Sequence, residues 1–252
     1  MVIIGNPMVF KRYILPGIVL AGMFFLASCK DKPPAFNPDQ AKIAAAEINK
    51  KIESIKAKAL ASKDDQEESL LWAEVSELYF LKGDISNAGQ SAKKSYDANP
   101  TNQSALASLA EYYLLLGHIP EALFYLNKAL DYYPTHSRAN YLMGNVWYMN
   151  GNTNLAKTYY RNAIAYDAKN VDACNNLSAI LLKEYNYNEA KTYIMKALAV
   201  KPNLAILVKN AGIVSEKTGQ KEKAFEYYTK YLSLNPAGND VDVVRLWIKK
   251  LQ

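Results

Sequence analysis

One spacing constrains this chain more than any other: the pattern of Leu106 to Pro134 returns every 34 residues. Glycines recur as Gly83, Gly117, Gly151 and Gly219, with Tyr185 in the remaining place. Five residues later stand Ala88, Ala122, Ala156, Ala190 and Ala224, and the period closes on Pro100, Pro134, Ala168, Pro202 and Pro236. Glycine takes a left-handed backbone at little cost and so ends one helix. Asp84, Asn152 and Asn186 follow that place and can cap the next helix. Alanine lets the two helices approach, and proline cannot continue the second. Each period is therefore one helix hairpin. Tyr185 is the local conflict, because a left-handed conformation costs a non-glycine residue roughly 1–2 kcal/mol.

The residues around that frame repeat as well. The first copy supplies Trp72, Val75, Ser76, Tyr79, Ala88 and Pro100; the third supplies Met143, Gly144, Trp147, Ala156, Tyr160 and Ala163. This aromatic, small, aromatic, alanine and proline skeleton resembles the tetratricopeptide repeat (TPR). The resemblance implies an all-α, right-handed α-solenoid of five TPR helix hairpins, at 69–102, 103–136, 137–170, 171–204 and 205–238. Contacts in such a fold run between neighbours rather than across one central core.

Helices are expected to flank the repeats. Asn37, Pro38 and Gln40 make a helix start, followed by Ala41, Ala45, Ile48, Ile52, Ile55 and Ala59 at spacings of four and three. That stripe suits an N-terminal cap on the first hairpin, with a self-associating coiled coil as the alternative. Ser62 to Glu68 reads as a charged connector. After Pro236 the phase breaks, and 239–252 aligns Val244, Trp247, Ile248 and Leu251 as a C-terminal capping helix.

The first 28 residues are a different kind of sequence. They hold no acid, place Lys11 and Arg12 before an apolar run, and end in Leu26-Ala27-Ser28 ahead of Cys29. A charged start, an apolar middle and small residues before a cut describe a secretory signal. With the cysteine placed there, the segment resembles a bacterial lipoprotein signal peptide. That resemblance implies cleavage before Cys29, a thioether lipid on Cys29 and acylation, palmitate among the acyl groups, of its new amino terminus. The run carries Pro16 and Gly17 and reaches only about 14 residues, short of the ~20 that a spanning helix wants. Met8 is an alternative start. Residues 29–68 then comprise the lipidated cysteine, a tether with Pro33-Pro34 and the N-terminal helix. The same resemblance implies sorting by the residue after the cysteine, where Lys30 rather than aspartate favours the outer membrane (periplasmic side) over the inner membrane.

Composition narrows the function. Losing Lys11 and Arg12 with the leader takes the formal net charge from +6 to +4, and Lys interleaves with Asp and Glu along the rest. A nucleic-acid binder would cluster its basic residues. Of the histidines, His118 sits at a turn and His136 in a loop, neither in a metal-binding spacing. There is no phosphate-binding glycine loop and no nucleophile elbow. Cys174 falls in the inward slot that Trp72 occupies in the first copy, so it reads as a buried apolar residue. The expectation is a non-catalytic protein with no cofactor and no metal.

What remains is surface. The family resemblance implies that the first helix of each hairpin lines a concave groove holding a protein or peptide segment. The candidate groove residues are Glu77, Glu111, Arg138, Tyr141, Asn145, Tyr148, Asn175, Asn176, Lys209 and Asn210. Asparagine offers a donor and an acceptor to an extended backbone, and tyrosine supplies rigid contact area. Acids early in the chain and bases later would suit a dipolar partner. The expected role is a membrane-anchored scaffold in cell-envelope assembly. Narrower readings are type IV pilus or outer-membrane assembly, or surface or periplasmic ligand binding for transport or host contact.

Overall fold

The computed structural model describes residues 38–252, with side chains from residue 45 onward. The leader, Cys29, the tether and Asn37 lie outside the described residues. The described chain is all-α, with twelve helices and no strand. In chain order these are α1 (Pro38–Ala61), α2 (Asp65–Leu81), α3 (Ile85–Ala98), α4 (Gln103–Leu116), α5 (Ile119–Tyr132) and α6 (Ser137–Met149). They continue as α7 (Thr153–Tyr166), α8 (Val171–Lys183), α9 (Tyr187–Val200), α10 (Ala205–Lys217), α11 (Lys221–Leu234) and α12 (Val241–Leu251). No helix among the described residues is long and apolar enough to cross a membrane.

The helices fall into two compact units that divide between Gly151 and Asn152. In the first, each helix packs on the next, and the first helices of successive hairpins also meet, α2 on α4 and α4 on α6. The second unit repeats this rule, with neighbours in contact from α7 to α12 and α8 touching α10. That is the packing of stacked hairpins. The recurring alanines, Ala88, Ala122, Ala156, Ala190 and Ala224, are all 0% exposed.

The turns are built as their glycines require. Gly83, Gly117, Gly151 and Gly219 take φ of 73°, 78°, 79° and 76°. The residue after Gly83, Gly117 and Gly219 closes the helix: Asp84 N–H donates to the Tyr79 carbonyl at 2.9 Å, for example. Tyr185 adopts the same conformation, φ 60°, and Asn186 N–H donates to the Leu181 carbonyl at 2.8 Å. Tyrosine therefore carries the backbone strain that glycine avoids, and the residue is 75% exposed.

Two expected caps form and one does not. Asp84 accepts from Asn87 N–H and Asn152 from Leu155 N–H, each at 3.1 Å. Asn186 makes no such bond; its amide donates to Glu189 at 2.9 Å, drawn by the acid three residues on. The charged stretch Ser62–Glu68 is also less of a connector than its composition suggests. Asp64 caps α2 by accepting from Gln66 and Glu67 N–H at 2.7 and 3.2 Å, so Asp65, Glu67 and Glu68 already lie in the first turn. Negative charge is favourable at that end of a helix. Where Ala168 replaces proline, α7 still stops at Tyr166, and Asp167 turns the chain by accepting from Lys169 N–H at 2.9 Å.

Both ends are capped. Ile52, Ile55 and Ala59 of α1 are buried against Trp72, Val75, Leu78 and Tyr79 of α2 and Ala88 of α3, the capping alternative for that stripe. At the other end α12 buries Val241 and Val244, and Trp247 lies 5.3 Å from the Tyr228 ring. Tyr228 is itself fixed by Gly212, where an added Cβ would fall 2.5 Å from its ring carbons.

Two substitutions test this reading. Tyr185→Gly removes strain of roughly 1–2 kcal/mol and returns some unfolded-state entropy, roughly 0.4–1 kcal/mol. We expect net stabilisation and a higher Tm by thermal denaturation; an unchanged or lower Tm contradicts the turn assignment. Gly212→Ala gains about 0.5–1 kcal/mol of helix propensity but overpacks a ring that cannot retreat, at about 1–3 kcal/mol. The clash should win, and a urea titration should show a lowered midpoint.

Candidate partner-binding face

The candidate residues sit on first helices, and each unit presents its own set. In the first unit they come from α2, α4 and α6, which the stacking brings side by side. Arg138 on α6 is the centre. Its Nε and Nη2 donate to Glu111 Oε2 on α4 at 3.1 and 2.7 Å, and its Nη1 donates to Ser108 Oγ at 3.2 Å. Glu77 on α2 lies 3.5 Å from Nη1, and the Phe80 ring is 5.7 Å from the guanidinium carbon. One cation thus ties three helices together.

This arrangement changes the electrostatic expectation. Glu77 and Glu111 do not face a partner as unpaired acids, because Arg138 pairs with both, while Lys51 pairs with Glu74 at 2.7 Å. The periodicity placed acids and bases apart along the chain, but hairpins stacked at a 34-residue repeat bring them together. Tyr141 and Tyr148 are half-buried on α6. Asn145, between them, is only 2% exposed and belongs to the packed interior.

The second unit carries Asn175 and Asn176 on α8 and Lys209 and Asn210 on α10. Asn175 Nδ2 donates to Asn176 Oδ1 at 3.3 Å, and Asn176 Nδ2 donates to Tyr160 Oη at 3.5 Å. Asn175 Oδ1 is shielded from solvent and accepts no hydrogen bond among the described residues. Lys209 is committed elsewhere: its Nζ donates to Asp240 at 2.6 Å and lies 5.5 Å from the Tyr231 ring centre. Asn210 is 7% exposed, so it too is interior.

Asp240 is the residue that sequence reasoning missed, since it lies outside the repeat frame. It receives both Lys209 and the Tyr231 hydroxyl. Burial acts to raise its carboxyl pKa, but those two hydrogen bonds outweigh burial and hold it below the usual range. Burial, reinforced by the Asp240 bond, pushes Tyr231 up to about 12. The network anchors the start of α12 to α10 and α11.

The groups weighed for chemistry occupy structural places. Cys174 is 1% exposed, and burial raises its thiol to about 11, the opposite of an activated nucleophile. His136 stands at the start of α6, where burial and then Arg138 lower it to about 4. His118 is exposed before α5 and caps nothing with its side chain. No group of three or more His, Cys, Asp or Glu suited to a metal exists among the described residues. The face offers contact area and amide polarity rather than reactive groups.

Comparison with known proteins agrees with the geometry. Family models described as tetratricopeptide repeat match residues 79–146, 171–204 and 210–237, together just over half of the chain. No curated protein sequence matches. Among solved structures, PilW, titled a widely conserved type IV pilus biogenesis factor, is 23% identical with a TM-score of 0.57, covering 73% of this chain and 85% of its own. PilF of Pseudomonas aeruginosa is 18% identical with a TM-score of 0.59, covering 75% and 94%. YrrB, titled a TPR protein with an unusual peptide-binding site, is 20% identical with a TM-score of 0.50, covering 79% and 99%. At these identities the likeness is one of fold. Repeats of this kind are protein-interaction scaffolds, no catalytic family is indicated, and the chain belongs to the tetratricopeptide repeat family.

Proposed function

We propose that this protein is a lipid-anchored, non-catalytic scaffold of a bacterial cell envelope that holds a segment of a protein partner against its first-helix faces. The observation that carries the binding role is the side-by-side placement of α2, α4 and α6, with Tyr141 and Tyr148 half-buried on α6. Tyrosine gives large contact area with little conformational entropy to lose, which suits a binding hot spot.

The address rests on the first 30 residues of the sequence. A leader ending in Leu26-Ala27-Ser28-Cys29 supports lipidation of Cys29, and Lys30 supports the outer membrane, periplasmic side. Several acyl chains hold a protein durably where a single chain binds only marginally. Confinement to one membrane raises the effective concentration of partner and scaffold for each other. Assembly of type IV pili is the narrower reading, supported by the fold-level likeness to PilW and PilF.

Crosslinking in living cells followed by mass spectrometry tests the face. Tyr141→Ala/Tyr148→Ala/Asn176→Ala should lose partners that the wild-type protein captures, at equal abundance in the membrane fraction. The same partners captured equally well would remove the basis for this face. Feeding cells an alkyne-tagged palmitate tests the address: the wild type should be labelled and Cys29→Ser unlabelled.

A further inference from the structure

The two units differ in charge. Residues 38–151 carry eleven Lys and Arg against fourteen Asp and Glu, a net charge of −3; residues 152–252 carry fifteen against nine, a net charge of +6. Stacking pairs some cations of the second unit with acids one period away, Lys157 with Glu184, Arg161 with Glu189 and Lys209 with Asp240. Part of the remaining excess stands on the outer side of α12.

That helix has more apolar surface than its capping role uses. Val241 and Val244 are buried and Trp247 meets the Tyr228 ring, which is the capping contact. Leu246 and Val243 lie away from it, 59% and 37% exposed. One turn after Leu246, on the same side of the helix, stand Lys249 and Lys250. Both lysines are exposed, while the acid of the helix, Asp242, is held by Arg245 at 2.9 Å. An exposed leucine is thus flanked by cations on a helix whose other side is already packed.

We propose that the outer side of α12 rests on the anionic headgroup layer of a phospholipid membrane, with Leu246 and Val243 entering the interface and Lys249 and Lys250 reaching the phosphates. Two aliphatic side chains bury too little area to hold a helix on a neutral bilayer, so the attraction comes from charge. Close to an anionic leaflet each basic residue contributes roughly a fivefold factor, and the net charge of the unit adds attraction within a Debye length. Lysine suits the place, because its stem lies along apolar surface while the ammonium stays in water and headgroups. A nucleic acid would engage the cations and leave the leucine in water, whereas a membrane surface engages both. The contact uses neither the lipid on Cys29 nor the first-helix faces, so it stands or falls separately from the function proposed above.

The test uses full-length Cys29→Ser/Leu246→Cys protein with the environment-sensitive dye NBD on the introduced thiol; Cys174 is 1% exposed and stays unlabelled. The vesicles are phosphatidylcholine alone, or phosphatidylcholine mixed in equal parts with phosphatidylglycerol. Emission from vesicle-bound protein should rise and shift to the blue on the mixed vesicles and stay near its solution value on the neutral ones. Added salt should reverse the rise, because exposed charges are screened. The same dye on Cys29→Ser/Asn127→Cys, at an exposed place on α5, should not distinguish the two vesicles. Adding Lys249→Gln/Lys250→Gln to the labelled protein should remove most of the rise, and these exposed side chains can change without disturbing the fold. Equal emission on neutral and mixed vesicles, the same rise from the dye on α5, an undiminished rise in the lysine variant, or an equal rise with soluble polyglutamate overturns the proposal.

Discussion

The structure depends on a close crossing of two helices at an alanine that recurs every 34 residues. Each of these alanines is completely shielded from solvent, and no larger side chain fits without separating the pair. Once the crossing is fixed, the turn that precedes it must reverse the chain within a few residues. That demands a left-handed backbone, and the fold imposes it even on Tyr185. Tertiary packing here overrules local preference.

Stacking then decides which side chains meet, and this shapes the electrostatics more than composition does. Arg138 joins Glu77, Glu111 and Ser108 across three helices. Lys209 reaches Asp240, and Lys157 reaches Glu184. These partners lie about one period apart, or nearly two for Glu77, so charges that look segregated along the chain are neighbours in space. Most exposed pairs of this kind contribute less than about 1 kcal/mol each. Their larger consequence is that the acids of the first unit's face are paired with Arg138 and Lys51.

Much of this was legible beforehand, for a physical reason. Glycine, alanine and proline act through their own backbone and size, so Gly83, Ala88 and Pro100 announce a turn, a crossing and a stop without help from distant residues. The stripe of α1 and the apolar face of α12 were readable by the same periodicity. Side-chain burial on the face was not. Asn145 and Asn210 occupy positions that the register assigns to the face, but packing of adjacent first helices encloses them. Asp240 was invisible as a partner of Lys209 because no repeat frames it. Asn186 failed as a cap because Glu189 competes for its amide, a choice that only coordinates reveal.

The central claim is that the first helices, rather than the outer second helices, meet the partner. Hydroxyl-radical footprinting of the protein in intact envelopes, compared with the purified protein, measures this side chain by side chain. The account predicts protection of Tyr141 and Tyr148 in the envelope, with exposed second-helix rings such as Phe124, Tyr132 and Phe225 modified equally in both. Protection of the second-helix rings with Tyr141 and Tyr148 unchanged would contradict it.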